Sequence, residues 1–394
     1  VTTSAQALSH AGSGHLAIGI EPEGVRVCLV ESVSGQFRLI GWLGLQRDPA
    51  METPLLIANA CRRFGQRIGR TLWNEQRQTP LIESDDPLRY PPLEQVALGL
   101  IARPRLRTWL AAVSQTPGLA TLEAAVMAVP TQVVGRTTLA ADLTSSSLAR
   151  ALAQAVPEAL VVVGGYDGAS ARAQQPVLTL CQLLGEALAQ LDVDRRPALF
   201  FAGAHEAAAQ ASALLSPVGA GGGVEVLPNI QPTPKQSNGR ELARILTYYD
   251  WRLSERVNGY SRFSRWVTGP GQPSSLMTNF AQLTRLWLEQ QGLAQLHGLY
   301  CTRTGWLHVL AERQQPGVQL CYGDPNTQPA PIQAWPPIGL VSGPWPGQPG
   351  RPARYFWWDR DGLAPIVAAI GQVAPQAMLE TLVYDLFTPY EGEA

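Results

Sequence analysis

From about residue 106 onward, apolar runs of strand length alternate with segments of helical period, and this alternation constrains the fold more than any other feature of the chain. LRTWLAAVS (106–114) reads as a strand, 119–128 as a helix, then come VVGRTTLA (133–140) and a helix over 145–155. ALVVVGG (159–165) leads into a helix over 175–191, and ALFFAG (198–203) into one over 205–215. VEVLP (224–228) precedes a long helix over 237–257, and a further helix spans 276–291. Strands that alternate with helices call for a largely parallel sheet covered on both faces, because a parallel crossover consumes about a helix's worth of chain.

A different pattern flanks this region on each side. HLAIGI (15–20), VRVCLVES (25–32) and QFRLIGWLG (36–44) are short β-rich runs separated by turn residues, and LHGLYCT (296–302), GWLHVLAE (305–312) and VQLCYG (318–323) repeat that layout. Both read as antiparallel meanders. Between the first meander and residue 106 a helix is expected over 55–73, with Leu56, Ala60, Phe64 and Ile68 on one side; 74–104, rich in Pro, Asp and Arg, reads as a long surface connection. After the second meander, 325–352 is proline-rich and extended, and helical stretches close the chain over 362–373 and 375–387.

With 394 residues, 45% of them apolar and 15% charged, the chain has the material for two cores. The expected organisation is a polar tail (1–14), a first lobe (15–205) with 74–104 inserted, and a second lobe (206–394) that includes the Pro/Trp-rich 325–358. A net charge of −1 without basic runs argues against nucleic acid, and the absence of a long apolar span or a signal-like start leads to the expectation of a cytoplasmic protein without a membrane anchor. Five widely spaced cysteines with no CxxC pair read as reduced thiols. Lys235 is the single lysine and sits in PTPKQSNG, which is neither a P-loop nor a Schiff-base setting. No clustering of His, Cys and carboxylates suggests a metal site, and no catalytic residue is assigned.

Two meanders opening two α/β lobes resemble the plan of the actin, Hsp70 and sugar-kinase superfamily: a two-lobed, ribonuclease H-like ATPase fold with mixed sheets flanked by helices. More narrowly, VVVGGYDGAS (161–170), ALFFAGAHEAAAQASALL (198–215), VEVLPNIQPTP (224–234) and the stretch from 252 to 288 resemble the glutamate mutase accessory protein (MutL) family, over about 150 residues in order. The resemblance implies one phosphate-binding turn per meander, each with an aspartate for Mg²⁺ and glycines that let backbone N–H groups reach phosphates. Here the first turn, IGIEPEGVR, has Gly19 where the aspartate belongs, Glu21 in place of the first glycine, and Pro22, which lacks an N–H. Glu21 and Glu23 would also repel a polyphosphate, with nothing nearby in sequence to compensate.

The second turn, YCTRTGWLH, has Cys301 at the aspartate, Arg303 and Thr304 at the glycines, and His308 at the distal aspartate. Thr302, Thr304 and Gly305 retain the means to contact an anion. Cys301 and His308, on neighbouring strands, read as a packed thiol beside a surface histidine. Gly164, Gly165, Asp167 and Gly168 form a glycine-rich turn with two readings: a backbone nest for an anion or nucleotide, or a tight turn whose glycines permit positive φ and close packing. Trp335, Trp345, Tyr355, Trp357 and Trp358 are candidates for a partner-binding surface, or else seal the second lobe.

These residues lead to the expectation of a protein that keeps the scaffold, has lost ATP turnover, needs neither ATP nor Mg²⁺, and works by binding a protein partner. Two alternatives stand beside it. One is an active ATP-dependent chaperone that reactivates a cobalamin-dependent mutase; the other is an actin-like subunit that assembles into homo-oligomers.

Overall fold

The computed structural model describes residues 13–323, apart from 23, 34–35, 102, 221–222, 269–272, 291, 293, 303–304 and 316. The Pro/Trp-rich segment with its five aromatic candidates, both closing helices, Arg303 and Thr304 lie outside the described residues.

The first meander forms as expected: β1 (Ser13–Glu21), β2 (Gly24–Val33) and β3 (Gln36–Gln46) pair antiparallel in that order. Alternate residues Leu16, Ile18 and Ile20 of β1 and Val25, Val27 and Leu29 of β2 point into one core. Helix α1 (Thr53–Ile68) covers them with Leu56, Ala60 and Phe64. It ends five residues sooner than its apolar period suggests, because Gly69 takes a left-handed conformation (φ 68°) that closes the last turn. Trp73 instead begins a two-stranded clip, β4 (Trp73–Asn74) with β5 (Thr79–Pro80), and meets Trp266 edge-on at 5.2 Å.

The reading of 74–104 as a surface connection is corrected here. β6 (Leu93–Leu100) lies inside it and pairs parallel with β1, with Leu93, Val96, Leu98 and Leu100 in the core. Pro91 and Pro92 mark its entry, and alternate residues Val96, Leu98 and Leu100 bury one face of the strand while Glu94 and Ala97 stay exposed.

Strands β7 (Leu106–Ala112), β8 (Thr131–Thr138), β9 (Ala159–Val163), β10 (Ala198–Phe201) and β11 (Val224–Val226) alternate with helices α2 (Ala120–Val126), α3 (Ser145–Ala155), α4 (Ala171–Ala189) and α5 (Ala208–Leu215). They form one all-parallel sheet in the order β11-β10-β9-β7-β8, so that the second strand lies outside the first and the later ones follow on the other side. β7, β9 and β10 divide their residues between two cores. Trp109, Ala111, Leu160, Val162, Leu199 and Phe201 face α3, α4 and α5; Leu110, Ala112, Val161, Val163 and Phe200 face α2 and the later helix α6 (Arg240–Ser254). Burial on both faces is what made these runs continuously apolar in sequence. A boundary at 205/206 falls between β10 and its parallel neighbour β11, within this sheet.

Helix α3 starts on a reciprocal cap: Ser147 N–H donates to Thr144 Oγ1 at 3.2 Å, and Thr144 N–H donates to Ser147 Oγ at 3.4 Å. Thr144→Ala is expected to lower the unfolding free energy by about 1 kcal/mol, read as a shifted urea midpoint with unchanged slope.

After α6 the chain passes through the short helix α7 (Tyr260–Phe263) to β12 (Ser274–Ser275), which pairs parallel with β6 and completes the first sheet as β12-β6-β1-β2-β3. The entire parallel-sheet segment is thus inserted between two adjacent strands of the first sheet. Helix α8 (Leu276–Gln290) then leads to β13 (Gln295–Thr302), β14 (Gly305–Glu312) and β15 (Val318–Gly323), the second antiparallel meander. Met277, Phe280 and Ala281 of α8 pack on Tyr300, Leu307, Val309 and Tyr322 of that sheet. The fold is α/β, with mixed sheets flanked by helices; the alternation in sequence alone did not separate the all-parallel insert from the first sheet.

Candidate functional site

The tips of the two meanders meet. Glu21, at the end of β1, is buried, and its Oε1 accepts a hydrogen bond from the Tyr300 hydroxyl of β13 at 3.1 Å. Arg26 on β2 stands 3.7 Å from the other carboxylate oxygen, and Arg47 donates to the Glu21 carbonyl at 3.4 Å and to Thr53 Oγ1 at 3.3 Å. The expectation that nothing compensates Glu21 is therefore corrected: Arg26 reaches it diagonally from the facing strand of the hairpin, and Tyr300 arrives from far along the chain.

Gly19 sits in mid-strand between Arg26 of β2 and Gly99 of β6. A side-chain carbon at Gly19 would touch Leu276 at 3.7 Å, and one at Gly99 would overlap Leu276 at 2.5 Å. Where the resemblance calls for a metal-holding aspartate, the backbone thus faces the leucine that opens α8. In the second turn, Thr302 and Gly305 are cross-strand partners, Cys301 pairs with Trp306, and His308 pairs with Leu299 on one side and Cys321 on the other. Cys301 and His308 are not directly opposed, and His308 is 2% exposed, so it is a core histidine and not a surface one.

The glycine-rich turn follows β9. Gly165 and Gly168 have φ of 78° and 73°, and a carbon added at Gly165 would lie 2.3 Å from Gln174 Oε1. The buried Gln174 donates from Nε2 to the Tyr166 carbonyl at 3.0 Å. Asp167 Oδ1 accepts from the His205 N–H at 2.9 Å and from Asn229 Nδ2 at 3.0 Å, while its own N–H goes to the Pro232 carbonyl. The Gly168 N–H donates to Glu206 Oε1 at 2.7 Å. The donors that would form an anion nest at Asp167 and Gly168 are thus committed to the protein's own acceptors, one of them a carboxylate.

This turn forms one wall of a crevice of about 270 Å³ at the carboxyl edge of the parallel sheet. The crevice lies between the exits of β7 and β9, where the connections diverge to opposite sides of the sheet, the position at which doubly wound sheets open a ligand cleft. Gln174, Glu206 and Asn229, which hold the turn, and Ser114 in the opposite wall were not picked out as site residues in the sequence. The signals available were the short distance from β10 to Glu206 and the asparagine between two prolines in LPNIQP.

Three of the cysteines are quenched by burial. Burial pushes the Cys61 and Cys181 thiols up to about 12 and Cys321 up to about 11, leaving them protonated and unreactive at neutral pH. Among the described residues no three His, Cys, Asp or Glu side chains are grouped to hold a metal ion, and no helix is long and apolar enough to cross a membrane.

No family model matches the chain, and no curated protein matches it. Among solved structures the chain is similar to a nucleotide-free acetone carboxylase, an enzyme of ATP-dependent acetone carboxylation, with 11% identity and a TM-score of 0.35. The alignment covers 79% of this chain and 48% of that one, so the chain spans about half the length of that structure.

Proposed function

We propose that this chain is an actin-like-fold binding protein that does not turn over ATP and serves as an accessory or scaffold for a protein partner, in the manner of a degenerate relative of the glutamate mutase accessory proteins. The observation that carries the reading is the closure of the two meander tips on each other: Tyr300 donates to buried Glu21, and Leu276 covers Gly19. A triphosphate with Mg²⁺ needs an open gap there, bare N–H groups and a carboxylate aimed at the metal. The motif resemblance in residues 161–170, 198–215, 224–234 and 252–288 supports the choice of family.

Titration calorimetry with MgATP, paired with phosphate-release kinetics, tests the reading. The expected results are no saturable Mg²⁺-dependent heat and no phosphate release above a protein-free blank. Mg²⁺-dependent hydrolysis that Glu21→Gln abolishes would overturn it and favour the ATP-driven chaperone for a cobalamin-dependent mutase.

A further inference from the structure

We propose that the crevice at the carboxyl edge of the parallel sheet binds the uncharged ring of a heteroaromatic small molecule. Its position is where diverging connections leave a cleft in a doubly wound sheet, and its volume, about 270 Å³, lies just below the ~300–1,000 Å³ typical of small-molecule pockets. That volume suits one ring or two fused rings.

The lining decides the chemistry. Val113 and Pro117 on the β7 side face Pro176 and Val177 on α4, an apolar slot suited to a flat ring. Ser114 and Gln231 bring side-chain donors and acceptors to its edges, enough to read a ring's amide or imine groups. No lining residue is charged. In the adjoining turn, the carboxylates of Asp167 and Glu206 are anchored by backbone N–H groups, so a phosphate there would be repelled by two negative charges. The same ring without phosphate encounters none of this repulsion. This site is separate from the meander tips, and the inference does not rest on the absence of ATP turnover.

The test uses the full chain and ligand-observed NMR with adenosine, guanosine and uridine, each compared with its 5′-monophosphate. At least one neutral compound is expected to bind below about 1 mM, with its monophosphate binding several-fold more weakly. Ala173→Leu, at an exposed lining position in the first turn of α4, is expected to weaken that binding roughly tenfold or more while leaving the melting temperature unchanged. Gln231→Ala, which trims a polar edge without filling the slot, should weaken it less. The inference is overturned if no neutral ring binds, if the monophosphate binds more tightly, or if both variants bind as the wild type does.

Discussion

Replacing Gly165 by valine is expected to lower the unfolding free energy by about 3 kcal/mol or more, one of the largest effects of any single change in the chain. Two costs combine. The backbone at 165 has φ of 78°, which a β-branched residue adopts only under strain. The first side-chain carbon would also lie 2.3 Å from Gln174 Oε1 and 2.9 Å from the Ala204 methyl group. Gln174 cannot swing aside freely, because it is 3% exposed and its amide nitrogen holds the Tyr166 carbonyl. Gly168→Ala provides the comparison: φ is 73° there, but a side-chain carbon meets nothing within 4 Å, so only the backbone cost of about 1 kcal/mol applies. Urea denaturation of both variants separates strain from collision. Equal losses would mean that the turn is not packed against α4 and β10.

The same contrast explains which parts of the fold were legible in the sequence. A strand buried on both faces, such as ALVVV in β9, announces itself by composition, and the cap at Thr144 marks the start of α3. Features that depend on a neighbour far along the chain did not. β6 is recognisable as central only once β1 is beside it, because Glu94 and Gln95 and the flanking prolines resemble a loop. The partner of Glu21 stands 279 residues away. His308 reads as a surface residue until its place in the middle strand of the second meander, with neighbours on both sides, is known. Strand order is invisible for the same reason: nothing local to β8 says that it lies outside β7, yet that reversal creates the crevice. Sequence analysis located the glycines of the candidate site, whose conformational role is local. It did not locate Gln174, Asn229 or Glu206, whose roles exist only after folding.

Arg103→Met is expected to destabilise the chain by about 3 kcal/mol at pH 7.5 and by clearly less at pH 5. Arg103 joins the linker after β6 to the parallel-sheet unit: Nη1 donates to Asp250 Oδ1 of α6 at 2.6 Å, and Nη2 pairs with Glu158 before β9. Burial raises the Asp250 carboxyl to about 6, and the attraction of Arg103 only partly offsets that rise. Its folded value therefore lies above the ordinary 3.8, and between those values the folded state binds a proton that the unfolded state does not. In the wild type this group makes unfolding easier as the pH rises toward 6, by at most about 1.4 kcal/mol per pH unit. Removing the guanidinium leaves the Asp250 and Glu158 carboxylates without the cation that bridges them at pH 7.5. At pH 5 Asp250 holds its proton and much of that penalty disappears. Urea midpoints of wild type, Arg103→Met and Arg103→Met/Asp250→Asn at both pH values measure this directly. The double variant should recover stability at pH 7.5 and gain little at pH 5. A loss for Arg103→Met that is the same at the two pH values would show that Asp250 stays ionised in the fold and that the arginine acts there by packing alone.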